Sequence, residues 1–219
     1  MLAESREELM ASAVAQVNVE TAHDPGQTGG LAPYSGYTIG GDVNLRALGR
    51  VGKAVAKTTL ASVFRVEVGQ RVFAYKRFLV KARSSWAREV ASHLLLPRID
   101  VAALQAFGID AQDRPWLMTQ WCGWPNLRWL LREDGGNASK ENAGHLIGRI
   151  SESLRVVGYA WTDPATRNLL VPDLAMTRYC MVDYALRPIG SAPAFEARIA
   201  ALLVTSEATS FWKADFDSN

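Results

Sequence analysis

The stretch GYAWTDPATRNLLV, Gly158–Val171, sets Asp163, Pro164, Arg167 and Asn168 in one short turn between an amphipathic run and an apolar strand. It reads either as an ordinary polar loop or as the centre of an active site. Directly after it, NLLVPDLAMTRYCMVDY has the pattern of a short hairpin, with two apolar arms around a polar turn. If Leu169–Val171 pairs with Cys180–Val182, antiparallel register puts Asn168 opposite Asp183. Asp163 lies in the loop feeding this hairpin, so three oxygen-bearing side chains are expected around one phosphate site. Mg2+ favours such hard oxygen donors and keeps waters and substrate phosphates in its shell.

Upstream of the turn, KENAGHLIGRISESLRVV carries Ala143, Leu146, Ile147, Ile150 and Leu154 as one apolar stripe at helical spacing, and Gly158 supplies a stop. LRWLLRE, before it, is also helical. Farther back the period changes from helix to strand. NLRALGRVG, TTLASVFRVEV and RVFAYKRFLV read as an antiparallel meander, the last two joined by the turn GQ. SSWAREVASHLLL is helical, with Ser84 or Ser85 as its cap and Trp86, Val90 and Leu94 four residues apart. DVAALQAFGID and RPWLMTQW are strands around the turn AQD. The chain opens with a helix over Glu4–Val17, with Ser5 and Glu8 in capping-box spacing, and a flexible Gly/Pro-rich lead-in to residue 43. It closes with one helix in APAFEARIAALLV and a mobile acidic end, KADFDSN. This order is that of an α+β protein: a strand-rich lobe over 44–121 and a helix-rich lobe over 122–219, divided near Trp121–Pro125.

Composition narrows the function classes. A chain of 219 residues, 48% hydrophobic, can bury a full core in one large or two small domains. The net charge is only +2, yet Arg50–Asp100 holds 11 Lys/Arg against 3 Asp/Glu. That part of the surface suits a phosphorylated ligand or an anionic membrane, or is simply a solvated charged face. No recognised nucleic-acid motif accompanies it, and no nucleic-acid partner is expected. His23, His93 and His145 are dispersed, which gives a histidine metal site or hydrolase triad no support; each reads as a surface or packing residue. Cys122 and Cys180 lie far apart without a ligand pattern or an evident disulfide role, so a reducing compartment is the simpler reading. With no apolar run near the roughly 20 residues needed to cross a bilayer, and a charged N-terminus, the expectation is a cytoplasmic protein.

Four elements, in order, carry a resemblance to the protein-kinase-like superfamily. D-P-A-T-R-N has the D-x-x-x-x-N spacing of its catalytic loop, and MVDY resembles the metal-binding segment written D-F-G. FAYK is similar to the V-A-I-K strand, where alternation puts Ala74 and Lys76 on one face. Glu89, in SWAREVASH, falls on the following helix, where the family places the lysine's partner. Within the superfamily, YKRF, GYAWTDPATRNLLV and VDYALRP most resemble the small bacterial kinases of the lipopolysaccharide kinase group, over roughly Leu48 to Pro188.

The resemblance implies a two-lobed kinase-like fold with an antiparallel-sheet N-lobe and a compact, shortened C-lobe, since only 36 residues follow Asp183. It implies ATP and Mg2+ as ligands. Lys76, oriented by Glu89, would hold α/β-phosphate oxygens; Ala74 would sit against the adenine; the backbone of Met118–Trp121, Gln120 included, would bind its edge. Asn168 and Asp183 would hold Mg2+, and Asp163 would orient or deprotonate an acceptor hydroxyl. The implied acceptor is a lipopolysaccharide core sugar, with peripheral contact at the inner face of the inner membrane. Trp116, Trp121, Trp124, Trp129 and Trp161 offer sugar-stacking or membrane-interface surfaces, or core packing. Departures are equally visible. Trp161 stands where a histidine is common, and aromatic packing would replace a scaffold hydrogen bond. Ala165 stands where a lysine is common, leaving Arg167 to supply positive charge. GRVGKAVAKTT lacks the family's glycine pattern and fails as a P-loop, though Gly49 and Gly52 could admit phosphate to the backbone, beside Lys53 and Lys57; otherwise it is an exposed turn. These departures leave open a nucleotide-binding pseudokinase, transfer of AMP instead of phosphate, and a small-molecule or protein acceptor.

Overall fold

The computed structural model describes residues 37–40, 50–68, 70–96, 98, 100–110, 112–133, 136–204 and 210–213. They form an α+β protein that divides into two compact units, one drawn from the chain up to Pro97, Ala103–Trp121 and Ala194 onward, the other from Arg98–Ala102 and Cys122–Pro193. The expected helix over Glu4–Val17 and the glycine Gly49 lie outside the described residues.

The first unit is built on an antiparallel sheet. Strands β1 (Tyr37–Gly40), β2 (Arg50–Lys57), β3 (Ala61–Val68) and β4 (Arg71–Phe78) precede helix α1 (Arg83–Leu95), and β5 (Leu104–Ile109) and β6 (Pro115–Gln120) follow it. The five strands of the central part run in the order β5-β6-β4-β3-β2. Alternation along β4 divides the side chains cleanly. Phe73 and Tyr75 join Val66, Ala106, Trp116 and Met118 in one apolar cluster, while Ala74 and Lys76 point to the other face. On that second face α1 packs through Trp86, whose ring meets Phe107 and whose Nε1–H donates to the Trp116 carbonyl at 2.8 Å. Trp86 is fully buried, so truncation to alanine is expected to cost about 3–5 kcal/mol. Neither Ser84 nor Ser85 caps this helix. A 3-10 turn over Val80–Ala82 runs straight into it, and Ala82 occupies the cap position without a side-chain hydrogen bond.

In the second unit the helices are α2 (Leu127–Glu133) and α3 (Asn137–Val156), followed by short strands β7 (Tyr159–Trp161), β8 (Leu169–Leu170), β9 (Cys180–Met181) and β10 (Leu186–Pro188). Ala143, Leu146, Ile150 and Leu154 are the buried stripe of α3, and Ile147 lies at its half-buried margin. Gly158 ends the helix region at φ 87°, a left-handed conformation that glycine adopts without a Cβ clash, while its N–H donates to the Arg155 carbonyl. Strands β7 and β10 then pair, and β8 pairs with β9.

Several expectations need correction. Leu169 faces Met181, so Asn168 stands opposite Val182 and not Asp183; the hairpin is present, one residue out of the expected register. Two-residue strands around a nine-residue connection carry too little alternation to specify register locally. Cys122 and Cys180, 58 residues apart, are joined in a disulfide, which removes the cysteine argument for a reducing compartment. The closing helix, α4 (Pro193–Val204), groups from Ala194 onward with the first unit, not with the helical lobe over 122–219. The next element, β11 (Ser210–Lys213), reaches the end expected to be mobile only at Lys213; it pairs with β5 on one side and with β1, from the lead-in expected to be flexible, on the other. No helix among the described residues is long and apolar enough to cross a membrane.

Candidate functional site

Each unit carries its own group of predicted residues. In the first, strand alternation directs Lys76 from the middle of β4 toward α1, and the Lys76 Nζ meets Glu89 Oε2 at 2.7 Å, with both side chains largely buried. The ammonium also lies 5.0 Å from the Phe78 ring centroid. Ala74 is on the same face, opposite Thr119 of β6. One turn after Glu89, buried His93 completes the cluster; burial, reinforced by the charge of Lys76, pushes its pKa down to about 3 and keeps the imidazole neutral. Nothing in the sequence beyond the four-residue spacing from Glu89 marks His93 as a neighbour of this pair.

The expected adenine-binding stretch is less open than its sequence suggests. Gln120 donates its N–H to the Ala103 carbonyl at 2.8 Å, and Trp121 donates to Val72 at 3.2 Å. Those two donors serve the sheet. Gly52 and Lys53 lie not in a turn but in β2, where pairing with β3 is irregular between Val51 and Ala54. Such a bulge takes backbone groups out of the ladder, while Lys53 and Lys57 remain exposed.

In the second unit the loop after β7 folds Asp163 and Asn168 onto each other. Asn168 Nδ2 donates to the Asp163 carbonyl at 3.0 Å and to Asp163 Oδ2 at 2.9 Å. Both amide hydrogens are therefore engaged, which turns Oδ1, the metal-binding atom of an asparagine, away from Asp163. Arg167 Nη2 bridges both Asp163 oxygens, at 2.8 and 2.6 Å, on the exposed side of the loop. A 3-10 turn over Thr166–Asn168 makes this contact by bringing Arg167 over the carboxylate.

Asp183 follows β9 with φ 56°, an uncommon conformation for a residue with a Cβ. Its carbonyl accepts from Trp161 Nε1 at 3.3 Å and from the Ala185 N–H at 2.9 Å. Trp161 therefore keeps a hydrogen bond as well as packing, a role not anticipated from the sequence. Left-handed backbone at a non-glycine residue costs about 1–2 kcal/mol and persists where the surroundings over-determine it. Here β9 is held on both sides. It pairs with β8 on one edge, and on the other Met181 donates to the Asp100 carbonyl and Ala102 donates to that of Met181.

The Asp100 carboxylate anchors that second edge. Arg98 grips it with two bonds of 2.7 Å, and Tyr179 donates its hydroxyl to Oδ2 at 2.5 Å. Burial pushes the Asp100 carboxyl up, but the bonds from Arg98 and Tyr179 outweigh it and hold the group below its ordinary range. The Tyr179 hydroxyl, buried and bonded to an anion, is pushed up to about 12.

Compared with known proteins, the chain matches no family model and no curated sequence.

Among the described residues no three His, Cys, Asp or Glu side chains cluster as a metal site. The hard-oxygen side chains that the sequence assigns to a divalent cation are the Asp183 carboxylate and the amide of buried Asn168. They fit a hard cation that completes its shell with water and phosphate, and are unsuited to a thiolate or imidazole metal.

Proposed function

We propose that the chain is an ATP- and Mg2+-dependent phosphotransferase of the protein-kinase-like kind, acting on a hydroxyl acceptor. The observation that carries this reading is the Lys76–Glu89 pair. A nearly buried ion pair is a poor source of stability, since two well-packed apolar residues serve a sheet and helix as well or better. Its value is instead to hold an ammonium in a fixed place for an anion, here the α/β-phosphate oxygens of ATP.

When bound, Mg2+ would neutralise charge on the phosphate oxygens, with Asp183 and Asn168 as its protein ligands. Asp163 orients the acceptor and takes its proton. Arg167, now on Asp163, is free to turn toward the transferring phosphoryl group, because an exposed ion pair is worth only about 0–1 kcal/mol. The acceptor oxygen forms a bond to the γ-phosphorus, the bond to the β–γ bridging oxygen breaks, ADP leaves, and the acceptor proton passes to Asp163. A lipopolysaccharide core sugar is the acceptor class that the resemblance favours.

A second reading, a nucleotide-binding module without transfer, draws support from Asp163 itself, both of whose oxygens already accept hydrogen bonds. One experiment separates the two: thermal shift with Mg2+ and ATP for wild type and Asp183→Ala, alongside mass analysis of nucleotide products with lipopolysaccharide core present. Phosphorylated acceptor and ADP, both lost in the variant, support transfer. Magnesium-dependent stabilisation without product supports the binding module, AMP on the acceptor changes the reaction class, and no stabilisation sinks both.

A further inference from the structure

The sequence groups five tryptophans in the middle of the chain, and the structure sorts them. Trp116 and Trp161 are buried, Trp121 and Trp124 are half-buried, and Trp129 leaves 51% of its surface exposed. It sits on α2, on one short face with Arg128 and Arg132. Arg132 is three residues from Trp129 and four from Arg128, so its side chain neighbours both on the helix surface. Both arginines are exposed, and among the described residues neither has a carboxylate partner, although Glu133 follows Arg132.

This face has a fixed position relative to the Asp163 loop. Asn126 caps α2 by accepting the Trp129 N–H on Oδ1 at 2.9 Å, and its backbone bridges to Leu170, two residues beyond Asn168. The helix itself packs against the Thr166–Asn168 turn. Leu127 is buried and Leu130 and Leu131 are partly so, which leaves Trp129 as the apolar side chain that α2 presents to solvent.

We propose that Arg128, Trp129 and Arg132 form the acceptor-binding surface, and that the acceptor is a saccharide chain carrying carboxylate or phosphate groups. The proposal rests on the phosphotransferase reading. An indole face covers the apolar C–H face of a sugar ring, while the flanking guanidiniums take its anionic substituents, and the ring's hydroxyls stay polar and accessible. A membrane surface fits less well. Interfacial helices bury a broad apolar face with basic flanks, and seven residues with one exposed apolar side chain do not provide it.

The test titrates the full chain calorimetrically with a de-acylated lipopolysaccharide core oligosaccharide bearing its phosphates and carboxylates, and with a neutral maltooligosaccharide. Wild type, Trp129→Ala, Trp129→Phe and Arg128→Gln/Arg132→Gln are compared, with melting temperature as a check on folding. Wild type is expected to bind the anionic chain, and Trp129→Ala to weaken binding roughly ten-fold, with Trp129→Phe retaining most of it. The double arginine variant should lose about ten-fold for the anionic chain only, with a flatter salt dependence. Equal binding of the neutral chain by wild type overturns the anionic part. No binding by wild type, or binding indifferent to Trp129, overturns the surface. Trp129-dependent capture by anionic phospholipid vesicles without oligosaccharide binding also overturns it, in favour of a membrane contact. The shift of wild type with Mg2+ and ATP, read in parallel, reports on the nucleotide alone. If it is absent while Trp129-dependent saccharide binding remains, the phosphotransferase reading fails and a saccharide-binding module stands; the reverse result removes only the acceptor surface.

Discussion

Lys76 and Glu89 meet at 2.7 Å with 13% and 6% of their side chains exposed, whereas Arg167 and Asp163 meet at 2.6 Å with 52% and 44% exposed. The distances are nearly equal and the energetics are not. In the first pair each charge has lost most of its hydration, so removing one partner strands the other in a low-dielectric interior. In the second, water solvates whichever partner is released. Under the proposed phosphotransferase reading, the first pair would hold a charge in a permanent place and the second could open during turnover.

Breaking the first pair should give the largest effect. Lys76→Met is expected to destabilise the protein by about 3–5 kcal/mol in urea denaturation, because Glu89 remains buried. Adding Glu89→Leu should restore most of that stability without restoring ATP binding. If the double variant is as unstable as the single, the pair is structural and the functional argument from it fails.

Next in size is the disulfide. Reduction, or Cys122→Ser with Cys180→Ser, releases a loop closed across 58 residues and should lower the stability of the second unit by about 2–4 kcal/mol. Denaturant midpoints with and without a dithiol reductant measure this. An unchanged midpoint would mean that the unit is held by packing and by the Asp100 network alone.

A smaller effect comes from His93. Its folded pKa, about 3, lies below the unfolded value of 6.5, so below pH 6.5 the unfolded chain binds a proton that the folded chain does not. Stability should therefore be flat above about pH 7.5 and fall by on the order of 1 kcal/mol by about pH 5.5. His93→Leu should flatten the profile. Asp100 does not confuse the measurement: a carboxyl held low in the fold keeps its contribution until the pH falls toward its unfolded value of 3.8.

The smallest expected stability change is at the exposed pair. Arg167→Gln should shift the urea midpoint by less than about 0.5 kcal/mol, yet reduce turnover about a hundred-fold if Arg167 stabilises the transferring group. A large loss of stability with little loss of turnover would reverse the roles assigned to the two pairs.

Much of this comparison was legible before folding was considered. Period-two alternation set Ala74 and Lys76 on one strand face, and helical spacing put Glu89 on the next element. Gly158, at the end of a 3.6-residue stripe, marked the entry to the Asp163 loop. Such features depend on neighbours within about one turn or one strand, which periodicity encodes directly.

Other features depend on residues distant in the chain. Cys122 and Cys180 become partners only when the second unit folds. The two-residue arms of the β8–β9 hairpin are too short to encode its register, and β9 is bonded on its other edge to Asp100 and Ala102, about 80 residues earlier in the chain. The Trp161 indole finds the Asp183 carbonyl across 22 residues, and β11 joins the sheet beside β5 from the far end of the chain. Even the availability of the tryptophans was undecided in one dimension, since Trp116 and Trp129 differ only in what the fold lays over them. Strands β3–β6 and helices α1–α4 could be read from local spacing, which carries that information. Tertiary structure alone decided register, disulfide partner, buried versus exposed ion pair and exposed tryptophan, because each is set by contacts that no local period records.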